Sequence, residues 1–218
     1  MSRLYLVRHG QTIWHAENRY AGSSDIPLDE TGRAQAERLA AWARTAGLSA
    51  LRCSPLSRAV ATMQPVARAT GLPVLTDSRL VECQFGIAEG RTFAEMEIEQ
   101  PEAAEAFRRD PSAHPWPDGE EPQAVAHRMA AALRDMAAAT EGPTLVVSHN
   151  TALRLALCEL LGLPLRHYRR TFPVLRNAAV SEVDIRGNPP PEGGESGKMS
   201  ECGGGEPYTA LLSLNQAI

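Results

Sequence analysis

The chain has few cysteines for its 218 residues, and this scarcity argues against two kinds of site. Its four cysteines, Cys53, Cys83, Cys158 and Cys202, are widely spaced, and no two of them form a Cys-x-x-Cys pair. Such spacing predicts neither a zinc site nor a disulfide framework. We therefore expect no zinc site and no structural disulfide. No other metal and no cofactor is expected either.

Long hydrophobic runs and a strong net charge are also absent. No apolar run approaches the roughly 18 residues that a membrane-spanning helix needs, and the N-terminus lacks the pattern of a signal peptide. A net charge of -4 gives no support for nucleic-acid binding. No Gly-x-Ser-x-Gly motif supports a serine hydrolase. We expect a cytoplasmic protein without membrane or nucleic-acid partners, and a homodimer is compatible with the sequence.

The remaining composition, 43% hydrophobic and 22% charged, is that of an ordinary globular protein, and 218 residues fit one α/β domain covering 1–218. Short apolar runs alternate with amphipathic segments, an order that predicts parallel strand pairing. The predicted strands are 4–7, 50–53, 144–148, 178–185 and 208–214, and the predicted helices are 29–44, 54–69, 92–109 with a break at Pro101, 121–139 and 151–161.

These elements predict a three-layer α/β/α sandwich with a mostly parallel central sheet. Residues 83–120 are rich in proline and glycine towards their end, and we interpret them as a small helical cap inserted over the site. The polar stretch 11–29 is long enough to indicate a functional loop. Residues 187–207, dominated by Gly, Pro, Glu and Ser, predict a mobile surface loop.

Two histidines stand at the ends of predicted strands. Arg8 and His9 close the apolar run 4–7, and His149 closes the run 144–148. In open α/β sheets the ligand crevice lies outside the carboxyl ends of the strands, so both histidines would face one crevice. A single histidine is more often a surface or satisfied core residue. The pair, with an arginine beside one member, favours a site for an oxyanion such as phosphate.

Several motifs extend this pattern along nearly the whole chain, in a fixed order. They are Leu6-Val7-Arg8-His9-Gly10-Gln11-Thr12, Pro27-Leu28, Thr31-Gly32-Arg33, Gln35-Ala36, Ser54-Pro55-Leu56-Ser57-Arg58-Ala59 with Thr62, Glu82, Phe85-Gly86, Glu89-Gly90 and Ser148-His149. The set resembles the histidine phosphatase superfamily, in the branch that contains cofactor-dependent phosphoglycerate mutases and many small phosphatases.

The resemblance implies a role for each of the central residues. His9 would be the nucleophile and form a phosphohistidine, because a neutral imidazole can approach a phosphate dianion near neutral pH. Arg8 and Arg58 would bind the phosphate oxygens with forked donors, and His149 would be a further catalytic donor. Glu82 matches the general acid, whose protonated form a nearby phosphate dianion favours.

Two positions depart from the family pattern. His15 stands where the family often has an asparagine that contacts phosphate, and a histidine there would still be able to donate to phosphate. Asn150 replaces the glycine that usually follows the second histidine. Asparagine is among the better substitutes for glycine at unusual dihedral angles.

The residues expected to hold the non-phosphate part of the substrate lie in the loop after His9. They are Gln11, Arg19, Tyr20, Ser23 and Ser24. We expect a phosphoric monoester hydrolase of the histidine acid phosphatase type, independent of metal, acting on a small molecule.

Two alternatives remain open. Only 67 positions (149 minus 82) separate Glu82 from His149, a shorter insertion than the pattern of the mutases leads us to expect, and this favours a phosphatase over a phosphoglycerate mutase. The second alternative is a phosphate-binding or regulatory module that has kept the pocket but turns over weakly.

Overall fold

The computed structural model describes residues 2–186 and 208–218, and these contain a six-stranded sheet. The strands are β1 Ser2–Arg8, β2 Ala50–Cys53, β3 Val74–Thr76, β4 Thr144–Ser148, β5 Val180–Arg186 and β6 Tyr208–Gln216. Their spatial order is β3-β2-β4-β1-β5-β6. The first four run parallel, whereas β5 is antiparallel to β1 and β6 is antiparallel to β5. The prediction of a mostly parallel sheet is confirmed.

The helices in the described part of the chain follow the predicted order. They are α1 Glu30–Ala43, α2 Ser57–Thr70, α3 Phe93–Glu99, α4 Pro101–Arg109, α5 Pro122–Ala139, α6 Asn150–Leu160 and α7 Tyr168–Thr171. The side chain of Asp29 caps α1 by accepting from the backbone N–H of Gly32. Gly71, with a φ of 73°, ends α2 in the left-handed conformation that glycine adopts without strain. Proline at the first position begins both α4 and α5.

Alternate residues of the central strands point into two hydrophobic cores. Leu4 and Leu6 of β1 pack in one core with residues of α5 and α6. Val7 of β1, with Leu145 and Val147 of β4, packs in the other with residues of α1 and α2. The strands are therefore covered by helices on both faces, which explains their almost continuous apolar sequence and gives the predicted three layers.

Two elements were not predicted. The strand β3 lies at the edge of the sheet and is three residues long, and its Leu75 and Thr76 are exposed. Such a strand shows no hydrophobic pattern in the sequence. The second element is α7, whose four residues include only one that is buried, Tyr168. The loop predicted over 187–207 lies outside the described residues.

Within 2–186 and 208–218, no helix is both long enough and apolar enough to span a membrane. Nor do the described residues include a group of His, Cys, Asp and Glu side chains arranged to hold a metal ion. Cys53, Cys83 and Cys158 are buried free thiols.

Candidate active site

The two strand-end histidines meet because β1 and β4 are adjacent parallel strands. Arg8 is paired with Ser148 in the register of the two strands, and the backbone N–H of His9 donates to the Ser148 carbonyl at 2.9 Å. The imidazole rings of His9 and His149 lie 5.1 Å apart, centre to centre. A cavity of about 450 Å³ opens at this point, with His9, Arg8, His15 and Glu82 in its wall.

His9 is buried, and one of its ring nitrogens is already fixed. Its Nδ1 lies 2.7 Å from the carbonyl oxygen of Gly10, and because a carbonyl only accepts, Nδ1 must carry the hydrogen. In the neutral ring, Nε2 is then left with a free electron pair. Burial lowers the pKa of His9 well below its usual value, and the nearby charges of Arg8 and Arg58 lower it further. His9 is therefore neutral at pH 7.

His149 precedes α6 as its N-cap residue and is fully buried. Its Nε2 lies 2.8 Å from the hydroxyl of Ser54, whereas its buried Nδ1 has no hydrogen-bond partner. Burial lowers the pKa of His149 well below its usual value, and His9 and Arg58 add to this effect. A buried polar nitrogen without a partner is unfavourable unless a ligand or water pairs with it.

Arg58 is completely buried and holds the loop that follows His9. Its Nη1 donates to the carbonyl of Ser24 at 2.8 Å, and its Nη2 donates to the carbonyls of Ala21 and Gly22. Its Nε is buried and has no partner. Burial lowers the pKa of Arg58, while Glu82 raises it. Arg58 and His149 are both fully buried, and neither is among the residues that line the cavity.

Arg8 is held from two sides. Its Nη1 donates to the carbonyl of Leu175 at 3.0 Å, and its Nη2 donates to Nε2 of His15 at 2.7 Å. Because guanidinium groups only donate, Nε2 of His15 accepts from Arg8, and its Nδ1 faces the backbone N–H of Thr12 at 3.0 Å and the Thr12 hydroxyl at 2.8 Å. Burial lowers the pKa of His15 to about 4 and that of Arg8 to about 10.

Glu82 is buried against the first turn of α6. Its Oε1 accepts from the backbone N–H groups of Cys83, at 2.9 Å, and Ala152, at 2.8 Å, and its Oε2 accepts from that of Thr151 at 3.1 Å. Two of these donors are orphan N–H groups at the positive end of the helix. The carboxyl group is therefore fixed in the cavity wall on the same side as His149.

Only some of the residues predicted to hold the rest of the substrate line the cavity. Arg19 and Tyr20 line the cavity, but Gln11, Ser23 and Ser24 do not. Gln11 donates instead to Asp29, and the backbone of Ser24 bonds to Arg58 and Glu89.

The sequence interpretation missed several residues of the cavity wall. Thr12, Phe85 and Asn150 stand in the motifs but have no role assigned from the sequence. The wall also contains Trp14, Asn18, Ala21, Phe93, Arg108, Thr151, Arg154 and Arg169. Helical spacing could have found Arg154, because it lies four residues after Asn150 on one face of α6. No local signal marks Phe93, Arg108 or Arg169, which come from separate helices.

Comparison with known proteins places these residues in a family context. The profile of the histidine phosphatase superfamily (branch 1) matches residues 4–191. The probable phosphoglycerate mutase GpmB of Enterobacter sp. (strain 638) is 37% identical over 190 residues, which are 87% of each chain.

Two solved structures share the fold over almost their whole length. The mycobacterial glucosyl-3-phosphoglycerate phosphatase has a TM-score of 0.82 and 26% identity, with 100% of both chains covered. The alpha-ribazole phosphatase from Shigella flexneri has a TM-score of 0.80 and 26% identity, with 98% of this chain and 96% of that chain covered.

Proposed function

Because the chain belongs to branch 1 of the histidine phosphatase superfamily, we propose that it hydrolyses a small-molecule phosphomonoester through a phosphohistidine on His9. One observation carries the proposal: Nδ1 of His9 is bound to the Gly10 carbonyl, which leaves Nε2 as an uncharged nucleophile next to the cavity. A neutral nucleophile avoids repulsion by the phosphate dianion.

The surrounding charges support phosphate as the group that binds here. Arg8 lines the cavity, and the fully buried Arg58 has an unpaired Nε. Among the described residues, neither forms an ion pair with a carboxylate. In the tautomer with its hydrogen on Nδ1, His149 adds a further donor for an anion, since that nitrogen has no partner.

The reaction proceeds in two steps in this proposal. Nε2 of His9 attacks phosphorus, the bond to the ester oxygen breaks, and the leaving alkoxide takes a proton from Glu82. Glu82, now a carboxylate, then removes a proton from water, and the resulting hydroxide breaks the P–N bond and releases phosphate and neutral His9. Arg8 and Arg58 stabilise the charge on the three transferred oxygens in both steps.

Hydrolysis of p-nitrophenyl phosphate in the presence of a chelator tests the proposal. We expect turnover by the wild type, and loss of at least about a thousandfold in His9→Ala, because the covalent route is removed. His114→Ala is the matched control, since His114 is an exposed histidine away from the cavity wall. An acid-labile, alkali-stable phosphoenzyme should be trapped on His9. A wild type without turnover, or a fully active His9→Ala variant, would contradict the assignment.

Phosphoglycerate mutase activity is a second candidate, and the name of the Enterobacter relative favours it. Both reactions begin with the transfer of a phosphoryl group to His9, and they differ in the acceptor of the second step. Incubation with 3-phosphoglycerate separates them. Release of inorganic phosphate supports the phosphatase, whereas formation of 2-phosphoglycerate with little free phosphate supports the mutase.

A further inference from the structure

The cavity wall carries more positive charge than one phosphate group needs. Arg8, Arg19, Arg108, Arg154 and Arg169 all line it, and Glu82 is the acidic residue among the described lining residues. Arg19 is paired with Glu17 and Glu95, and Arg108 with Glu97 and Glu105. Arg154 and Arg169 form no ion pair within the described residues, so their charges are available to a ligand.

Arg154 is held rigidly beneath the cavity. It is 8% exposed, its Nε donates to the carbonyl of Phe172 at 2.6 Å, and its Nη2 donates to the carbonyl of Pro173. Its Nη1 has no hydrogen-bond partner in the described part of the chain. A buried, oriented cation without a carboxylate is costly unless it serves a ligand.

Arg169 lies next to Arg154 at the rim. Both guanidinium groups lie near the Tyr168 ring: that of Arg169 is 5.6 Å from the ring centre and that of Arg154 is 5.8 Å from it. Arg169 also stacks over Phe107 at 4.8 Å, and its Nε donates to the Tyr168 hydroxyl at 3.0 Å. The aromatic rings fix the direction of the guanidinium without neutralising it.

This pair is distinct from the residues that surround His9. Arg154 is on α6 and Arg169 is on α7, whereas Arg8 and Arg58 are on β1 and α2. Burial lowers the pKa of Arg8 most and Glu82 raises it; Arg154 lies close enough for its charge to lower that pKa as the next largest effect. The cavity therefore offers one cationic cluster to the transferred phosphate and a second one beside it.

We infer that the substrate carries a second anionic group, a carboxylate or a second phosphate, and that Arg154 and Arg169 bind it. The inference rests on the proposed function. Both groups present oxygen pairs that match the forked donors of arginine. The aromatic side chains Trp14, Tyr20, Phe85 and Phe93 in the same wall would contact the carbon skeleton between the two anions.

Matched substrate pairs test the inference. 3-Phosphoglycerate and glycerol 3-phosphate differ in a carboxylate, and fructose 1,6-bisphosphate and fructose 6-phosphate differ in a phosphate. For at least one pair, we expect the wild-type kcat/KM to be about ten- to a hundredfold higher for the member with the second anion, as two charge-assisted contacts allow. The pair that responds identifies the second group.

Variants of the two arginines locate the effect. In Arg169→Met the ratio of the two kcat/KM values should fall towards one, and Arg154→Lys should lower it too while keeping a charge that stabilises the fold. Arg170→Met is the matched control, because Arg170 is an exposed neighbour outside the cavity wall; it should keep the wild-type ratio. Thermal unfolding of each variant shows whether it has folded.

The outcomes separate this inference from the proposed function. A wild type that does not hydrolyse p-nitrophenyl phosphate refutes the phosphatase itself. A wild type that hydrolyses it but has a ratio near one for both pairs refutes only the second anionic group. A high ratio that persists in both Arg169→Met and Arg154→Lys shows that other residues bind that group, and refutes the assignment to these arginines.

Discussion

At the residue scale, the contacts of His15 differ from those that its position in the sequence predicts. The sequence predicts that it contacts phosphate as a donor, but in the structure its Nε2 accepts from Arg8, and its Nδ1 faces the backbone N–H and the hydroxyl of Thr12. A ring nitrogen that accepts from Arg8 cannot donate to phosphate at the same time. His15 is therefore placed to orient Arg8, and Arg8 is the group that would contact phosphate.

This role predicts different effects for two substitutions of His15. His15→Ala should lower kcat/KM for p-nitrophenyl phosphate about ten- to a hundredfold, because an oriented hydrogen bond to a charged group is lost. It should also raise the inhibition constant of inorganic phosphate. His15→Asn should restore most of the activity, since its amide oxygen can accept from Arg8. Equal loss in both variants, with normal circular dichroism, would contradict a positioning role.

The identities of the central site residues could be predicted from the sequence, but their contacts could not. Motifs indicated His9, Arg58 and Glu82, because each stands in a short run of residues typical of the histidine phosphatase superfamily. That Arg58 also binds three carbonyls of the loop at 21–24 depends on the path of that loop across α2. Ser23, placed in the substrate site from its position after His9, is exposed and outside the cavity wall for the same reason.

At the scale of elements, the first turn of α1 is pressed against the loop that follows His9. A Cβ atom built on Gly32 would lie 2.0 Å from the backbone oxygen of Gln11, and one built on Gly10 would lie 2.7 Å from the backbone oxygen of Gly32. Both atoms are backbone and have little freedom to move. The two glycines therefore set the distance between α1 and the residues next to His9.

Gly32→Ala tests this close approach. In an ordinary helix the change stabilises by roughly 0.5–1 kcal/mol. Here we expect it to lower the free energy of unfolding by about 1–3 kcal/mol, as overpacking does, and to raise KM by displacing the loop beside His9. Urea unfolding and phosphatase kinetics measure the two effects. Arg38→Ala, an exposed change on the same helix, should alter stability by less than about 0.5 kcal/mol. A stabilised Gly32→Ala variant would contradict the packing argument.

Elements with a strong internal pattern were predictable, and those that depend on their surroundings were not. The helix α5 was predicted to within one residue at its start, since Pro122 begins it and buried residues recur along one face. The edge strand β3 is defined by pairing with β2, in the register Leu51 with Val74, and only Val74 is partly buried among its residues. A strand of three residues that is defined by pairing with a distant strand has no recognisable hydrophobic pattern in the sequence.

At the scale of the whole molecule, the fold keeps three of the six histidines neutral: His9 and His149, which are buried, and His15, which is half-buried. Burial lowers the pKa of His9, His15 and His149, to about 4 for His15 and well below the usual value for the other two. In the unfolded chain each would bind a proton below pH ~6.5. Between about pH 6.5 and about 4, the unfolded state therefore binds more protons, and the free energy of unfolding falls as the pH falls.

Urea unfolding across this range should show the dependence. Each buried neutral histidine contributes at most about 1.4 kcal/mol per pH unit, so His15→Asn should have a shallower slope than the wild type by up to that amount. His114→Asn, which changes an exposed histidine, serves as the control and should keep the wild-type slope. Identical slopes in the wild type and His15→Asn would show that His15 is not held neutral by the fold.

The pairing of β1 with β4 joins the N-terminal histidine to one that lies far along the chain. Until these strands have met, the chain has no cavity in which an anion could be held, so partly folded forms have no site to compete with the native one. A ligand that binds only the native state adds its binding free energy to the folding equilibrium, about 2.7 kcal/mol at a concentration one hundred times its Kd. A bound substrate would therefore not only react but also stabilise the folded state in which β1 and β4 are paired.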